Sequence, residues 1–282
     1  MSIKGDLHCH TTLSDGSLGI EEVIIQAKRM GLDYLSLTDH DTLSSANRAH
    51  ILGERYGVKI IPGVELSAWD EERNCKVHIL CYAPQKPDRL EGLCHKSCEI
   101  RKLCSKDMIE KVKEIYPITT ESVLKYTKSS KSIFKSHIMR ALINYGYATE
   151  YYGELNNKLF DRKNGICSVV RRYPSVKFVL DLIHSSRGIA VMAHPCLYDN
   201  VELCEELAAE GKLDGIEVYH FSADKETEKK LLDITQKYNL IATGGSDFHG
   251  SYNMQPTHIG SRTTDEENIN KILELIKLNT SR

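Results

Sequence analysis

Nine histidine, aspartate and glutamate side chains fall at the ends of short β-like runs spread along the 282 residues, and this recurrence constrains the fold more than any single motif. They are His8, His10, Asp15, His40, Glu65, His78, His194, Asp247 and His249. In a parallel barrel or a doubly wound sheet, the C-terminal strand ends and the loops after them share one face, so residues far apart in sequence converge there. The pattern therefore predicts an α/β fold that gathers these side chains at one place.

The spacing between them supports this reading. Apolar or β-branched runs at 34–38, 58–66, 76–82, 188–193, 215–219 and 240–244 read as strands. Helical patterns at 21–30, 44–56, 175–186, 201–210, 225–238 and 266–278 lie between or after them, several closed by a glycine such as Gly31, Gly57 or Gly211. Strand and helix alternating in this way predict βαβ units and a mainly parallel sheet. Residues 88–173 break the alternation, being rich in Lys and Ser and mostly helical in pattern, with no clear strand. The expected organisation is a first barrel part at 1–87, an inserted helical cap at 88–173 and a second barrel part at 174–282.

Each candidate ligand also has a plainer reading. His8 and His10 point the same way from an extended strand, which turns Cys9 to the other side. Asp15, in Ser14-Asp15-Gly16-Ser17, has the composition of a turn. Of Asp39 and Asp41, which flank His40, one is placed to cap the next helix. We read His40 as a ligand and Asp39 as a group that orients an imidazole. A carboxylate at Glu65, inside an apolar strand, is costly unless paired or bound to metal. His78 taken alone has the surroundings of a core histidine. His194 precedes Pro195 at the end of an apolar strand, and Asp247 and His249 follow Gly244-Gly245-Ser246, where glycines allow tight turns. Imidazoles and carboxylates are the usual ligands of Zn²⁺, Mn²⁺ and Fe²⁺, and the nine together argue for two or three divalent metal ions that activate water.

Composition removes several classes. A net charge of −2 gives no global basic field for long duplex nucleic acid. No apolar run reaches the roughly 18 residues that span a bilayer. The polar, His-rich start is not read as a signal peptide, so the expected compartment is the cytoplasm. Nine scattered cysteines do not form a disulfide framework. Cys94, Cys98 and Cys104 are expected as buried helical thiols, since a zinc site there lacks a fourth ligand.

The segments Asp6-Leu7-His8-Cys9-His10, Thr38-Asp39-His40-Asp41-Thr42, Pro62-Gly63-Val64-Glu65-Leu66-Ser67, Ala193-His194-Pro195 and Gly245-Ser246-Asp247-Phe248-His249-Gly250 occur in order. Together they resemble the successive motifs of the PHP (polymerase and histidinol phosphatase) metal-dependent phosphoesterases. The resemblance implies a distorted seven-stranded (β/α)7 TIM-like barrel with a trinuclear metal centre. It implies that His8, His10, Glu65 and Asp247 hold one ion, that Glu65 bridges to a second held by His78 and His194, and that Asp15, His40 and His249 hold the third. His194, His249 and Asp247 would carry the catalysis.

The helical insertion resembles that of PHP proteins acting on nucleoside 3′,5′-bisphosphates and short 5′-phosphorylated oligonucleotides. Those proteins start an insertion helix with a segment like Gly-Arg-Pro-His, whose basic residues help to bind phosphate. Here His137 is kept and Lys135 stands where Arg is expected. Lysine is a point charge without the bidentate grip of arginine. Arg140, three residues after His137, shares its helical face; the face reads as a phosphate clamp or, alternatively, as a solvated basic surface, so Lys135, His137 and Arg140 are the expected substrate-binding residues, with His220 either behind a ligand or as a further substrate contact and Arg171 and Arg172 as weaker candidates. The implied activity is hydrolysis of a phosphomonoester on a small nucleotide. The alternatives are a histidinol-phosphatase-like activity, 5′→3′ exoribonuclease action on short RNA, and a metal-binding interaction module without turnover. A chain of 282 residues leaves no room for a polymerase domain.

Overall fold

Pro62 and Gly63 divide the run expected as one strand at 58–66, and this division organises the molecule. In the computed structural model, which describes residues 3–127 and 129–281, the run becomes β3 (Lys59–Ile60) and β4 (Gly63–Asp70), each in a different sheet. Proline has no N–H for a strand ladder. A Cβ at Gly63 would lie 2.3 Å from the Ser36 hydroxyl, so only glycine lets the chain turn so close to its neighbour.

The order before that point is β1 (Lys4–Cys9), α1 (Ile20–Arg29), β2 (Tyr34–Leu37) and α2 (Ala46–Tyr56). After β4 come β5 (Cys75–Tyr82), α3 (Asp88–Lys113), α4 (Thr120–Leu124), α5 (Lys135–Asn144), α6 (Glu154–Phe160) and α7 (Val176–Ser185). The chain ends with β6 (Ile189–Met192), α8 (Val201–Ala209), β7 (Gly215–Tyr219), α9 (Lys225–Lys237), β8 (Ile241–Gly244), β9 (Thr264–Asp265) and α10 (Glu266–Ser281).

The strands form two sheets, ordered β3-β2-β1-β9 and β4-β5-β6-β7-β8, rather than one closed sheet. Pairing is parallel for β1–β2, β2–β3, β6–β7 and β7–β8, but antiparallel for β4–β5 and β5–β6. The expectation of a mainly parallel sheet is thus corrected at β4 and β5, which form a hairpin turned through Asn74 at a positive φ of 50°. Isolated bridges join His40 to Glu65 and Cys9 to Phe248 between the two sheets.

Helices cover the sheets where their sequences give them one apolar stripe. On α7, Val176, Val179, Leu180 and Ile183 are buried at the i, i+3, i+4, i+7 spacing. Each such side chain contributes about 1.5–3 kcal/mol on burial. The Ser175 hydroxyl accepts the Phe178 N–H and caps this helix. Leu90 and Leu93, at the start of α3, pack into the same core as Val179 and Leu180, whereas Met108, Ile109 and Val112 pack into a separate core with Ile138, Leu142 and Phe160. One long helix therefore ties the sheets to the helical segment, and between residues 88 and 173 the described residues form no strand.

Candidate metal centre

Glu65 is the pivot. It is the third residue of β4 and is 1% exposed, surrounded by five imidazoles. Its Oε1 lies 2.5 Å from Nδ1 of His78 and 2.9 Å from Nε2 of His194. Its Oε2 lies 3.0 Å from Nδ1 of His40, 3.3 Å from Nε2 of His10 and 3.4 Å from Nε2 of His8. Asp247 closes the other side, with Oδ1 3.4 Å from His8 and 3.2 Å from His10. Asp15 stands among His10, His40 and His249 at 3.4–3.6 Å. All nine side chains singled out in the sequence meet at one place. Glu65 and His78 arrive there from within the β4–β5 hairpin rather than from strand C-termini.

Electrostatics keeps the carboxylates charged. Burial pushes the Glu65 carboxyl up, but His40, His78 and His8 outweigh it and hold it well below the ordinary range. Asp247 is held low in the same way, chiefly by His249 and His8, and Asp15 by His40 and His249. Burial pushes His10 down, yet Asp247, Glu65 and Asp15 lift it to about 10.

The donor set fits divalent cations. His8 Nε2, His10 Nε2, Asp15 Oδ1, His40 Nδ1, Glu65 Oε2, His78 Nε2 and His194 Nδ1 are buried without a hydrogen-bond partner. Buried polar atoms are normally satisfied; His8 Nε2, His10 Nε2 and His40 Nδ1 converge on Glu65 Oε2 at 3.0–3.4 Å without a hydrogen bond, which marks a place for ions. Among the described residues, three groups come close enough to share one: His10 with Asp15, His40 and His249; His8 with His10 and Glu65; and His40 with Glu65 and His78. The donors are imidazole nitrogen and carboxylate oxygen, which suit Mn²⁺, Fe²⁺ or Zn²⁺. Cysteine takes part in none of these groups, and all nine cysteines are free.

The backbone is strained at two of these positions. His194 has φ 25° and Asp247 φ 49°, in the left-handed region that side chains other than glycine rarely adopt.

Other residues hold the ligands in place. The Glu217 carboxylate, on β7, accepts from His8 Nδ1 at 2.9 Å and from the His194 N–H at 2.8 Å. The proton of His8 is thereby fixed on Nδ1 and Nε2 is free to donate its lone pair. Among the described residues, Asp39 pairs with no imidazole. It accepts from the Thr11 N–H, the Thr11 hydroxyl and the Ser14 hydroxyl at 2.7–2.8 Å, and so fixes the turn that carries Asp15. Neither Asp39 nor Asp41 caps α2, whose N-cap position is Ser45. Asp41 instead accepts from Ser67 and from Arg101.

Above the cluster lies a cavity of about 760 Å³ whose floor includes Asp15, His40, Glu65, His78, His194, Asp247 and His249. Of the expected substrate-binding residues, Lys135 lines it, with Nζ donating to the Phe160 carbonyl at 2.9 Å. His137 and Arg140 do not. The buried His137 ring accepts the Phe134 N–H at 3.2 Å and caps α5, and burial pushes its pKa down to about 4. Arg140 reaches the Tyr151 hydroxyl at 2.6 Å and lines a second, more open cavity beside Tyr252. His220 packs beneath the floor, with Nε2 3.5 Å from Asp247 and Nδ1 bonded to Ser222. Arg171 lines the cavity but is paired with Asp107, and Arg172 reaches Asn74.

Lys76, Arg101 and Arg162 also line the cavity, and the sequence reading passed over them together with Glu217. Glu217 had a signal, being an acid within an apolar strand like Glu65. Lys76 had a weaker one, standing two residues before His78 on the same strand face. Arg101 had none, because its place depends on contacts with Asp41 and Ser67 far away in the chain.

The PHP domain family matches residues 6–238. The chain belongs to that family. It is a PHP-family metal-dependent phosphoesterase, and its relatives have related activities. A phosphoribosyl 1,2-cyclic phosphate 1,2-diphosphodiesterase from Eggerthella lenta is 35% identical over 259 residues, covering 91% of this chain and 98% of the relative. A 3′,5′-nucleoside bisphosphate phosphatase from Chromobacterium violaceum is 30% identical over 86% of each chain. The 5′-3′ exoribonuclease Rnm of Escherichia coli is 30% identical over 86% of this chain and 84% of its own. Among solved structures, a candidate metal-dependent phosphoesterase from Bifidobacterium adolescentis superposes with a TM-score of 0.86 at 28% identity over 96% of each chain. The PHP fold thus accounts for both the two sheets and the gathered ligands.

Proposed function

We propose that this chain hydrolyses a phosphate ester of a small nucleotide, with a nucleoside 3′,5′-bisphosphate or a short 5′-phosphorylated oligonucleotide as substrate. The observation that carries the proposal is the cavity itself. A floor of cation-seeking carboxylates and imidazoles faces walls that carry Lys76, Arg101 and Lys135. About 760 Å³ admits a nucleotide and excludes a duplex. The bridges between the two sheets support reading β1, β2 and β4–β8 as the seven strands of a distorted barrel. The nine free cysteines agree with a reducing compartment, and we place the chain in the cytoplasm. No helix among the described residues is long and apolar enough to cross a membrane.

His8, His10, Glu65 and Asp247 would hold one ion, Glu65, His78 and His194 a second, and Asp15, His40 and His249 a third. Ions there would lower the pKa of water and neutralise charge on phosphoryl oxygens. The protein's own part is positioning. Glu217 sets the tautomer of His8, Asp39 fixes the Asp15 turn, and the strained backbone at His194 and Asp247 is held by its surroundings, as strain at functional sites is. We assign the chemistry to His194, Asp247 and His249, which border the cavity where a phosphoryl group would sit.

A second reading has its own support. The Eggerthella relative aligns over 98% of its length, which favours a phosphoribosyl cyclic phosphate as an alternative substrate. Hydrolysis of adenosine 3′,5′-bisphosphate and of phosphoribosyl 1,2-cyclic phosphate, followed side by side with Mn²⁺ by chromatography of the products, separates the two, because opening the cyclic ester once leaves a monoester and frees no phosphate. Preference for the bisphosphate supports the first reading. Turnover of the cyclic ester alone replaces it with the second.

A further inference from the structure

β1 belongs to one sheet and β8 to the other, and among the described residues no strand ladder joins them. Their ends nevertheless meet. A Cβ at Gly245 would overlap the His8 side chain, so the turn after β8 passes directly against β1. The side chain that crosses this seam is Asp6. It is fully buried, and it lies two residues before His8 on the same face of β1. Its Oδ1 accepts the Ser246 N–H at 2.9 Å and the His8 N–H at 3.3 Å, and its Oδ2 accepts the Gly260 N–H at 2.8 Å. One carboxylate therefore binds three segments: β1, the turn that carries Asp247, and the chain that leads into β9.

We propose that Asp6 is a positioning residue that closes the seam between the two sheets and sets the place of Asp247 against His8, so that the ion these two would share depends on it more than the other ions do. The proposal rests on the metal-dependent reading above and names what holds that ligand pair from outside it. A buried carboxylate is costly unless its oxygens are hydrogen-bonded. Here backbone N–H groups satisfy it, and hydrogen bonds to an ionised acceptor are the strong ones, so the tie is stiff.

The tie acts where the ligand geometry is most demanding. Donors about 2.0–2.2 Å from a shared ion stand roughly 3–3.5 Å apart, and His8 Nε2 lies 3.4 Å from Asp247 Oδ1. Asp247 follows Ser246 directly and has the strained φ of 49°, so the Ser246 bond fixes the near side of that turn. The far side has its own anchors. The Phe248 carbonyl accepts the His10 N–H at 2.9 Å, and the His249 carbonyl accepts the Ser17 N–H at 3.0 Å. The group of Asp15, His40 and His249 is thus held without Asp6, which is why the effect of Asp6 should be local.

The test titrates metal-free wild type, Asp6→Asn and Gly260→Ala with Mn²⁺ against a competing chelator while bound metal is counted, beside urea unfolding of the metal-free proteins. Asparagine keeps the size of aspartate but turns an amino group toward either the Ser246 or the Gly260 N–H, so one tie is lost. Partners behind a ligand account for roughly 10–100-fold in metal affinity. The expected result for Asp6→Asn is a loss of that size confined to one ion per chain, the others binding as in wild type. If Asp6→Asn fails to fold, Gly260→Ala decides the matter. Gly260 has φ 78°, so alanine is strained there and shifts the N–H away from an intact Asp6. A loss of about tenfold at the same ion is expected. A lower urea midpoint with unchanged ion affinity, or equal weakening of every ion, shows a merely structural role and overturns the proposal. Phosphate release plays no part in this readout. Wild type that binds ions and hydrolyses no phosphate ester counts against the activity alone, and wild type that binds no ion overturns both.

Discussion

The floor and the basic wall of the cavity are built on opposite plans. On the floor, carboxylates and imidazoles pair with one another and still leave seven of their buried atoms orphaned, because the set is arranged around ions rather than around its own pairs. On the wall, lysine and arginine rest on aromatic rings, and the carboxylates beside them are Asp41, which pairs with Arg101, and Asp161. One surface is short of cations and the other of anions. A metal-dependent enzyme for a phosphorylated substrate needs that division, and the difference teaches where each half of the binding energy comes from. Damage to the floor should remove chemistry, and damage to the wall should change which substrate is preferred.

The strongest way to break the comparison is at the floor. Asp247→Ala removes the carboxylate that faces both His8 and His10. It should lower metal-dependent phosphate release by more than about a hundredfold, while circular dichroism shows a folded protein. Retained turnover would show that the floor is not the reacting centre.

Next in size is Glu217→Ala, which leaves His8 Nδ1 and the His194 N–H without their acceptor. Partners behind a ligand typically account for 10–100-fold in metal affinity. Titration against a competing chelator should show a loss of roughly that size, partly restored in Glu217→Gln, whose amide oxygen still accepts. Equal affinity in all three proteins would remove Glu217 from its positioning role.

The smallest effect expected lies outside both surfaces. His137 is buried, and its folded pKa of about 4 lies below the value of about 6.5 for an unfolded chain. As pH falls below 6.5, the unfolded chain takes up the proton first. The stability present above that pH is then lost progressively down to about pH 4. Between pH 7 and pH 5 the loss from this group is about 2 kcal/mol. Urea midpoints of His137→Asn, which still offers an acceptor to the Phe134 N–H, should depend on pH less steeply than those of the wild type. An unchanged dependence would show that His137 is not the buried neutral group described here.

What could be read from the sequence follows the same division. The floor was legible because each contributor sits within or just after a β-like run, and gathering around one site explains their meeting. Glu65 was recognised as an acid in an apolar run even though its strand direction was not foreseen. The hairpin was missed because an antiparallel partner differs from a parallel one in the turn, here at Asn74, and not in apolar pattern. Pro62 and Gly63 could have predicted the break between β3 and β4. The wall was not legible. Arg101 faces the cavity only because Asp41, sixty residues earlier, turns at a positive φ of 51° and holds it there. The expected clamp on α5 reached the cavity at Lys135 alone, since His137 caps its own helix and Arg140 turns to Tyr151.

The central claim is that the gathered floor works through bound divalent ions on a small phosphate ester. Its most direct test is phosphate release from adenosine 3′,5′-bisphosphate by chelator-stripped protein, with Mn²⁺, Fe²⁺ or Zn²⁺ then added back while bound metal is counted. The account predicts no release from the stripped protein, and recovery that saturates as two or three ions bind per chain. Full release without metal, or saturation with ions and no release from this or any other phosphate ester, would contradict it.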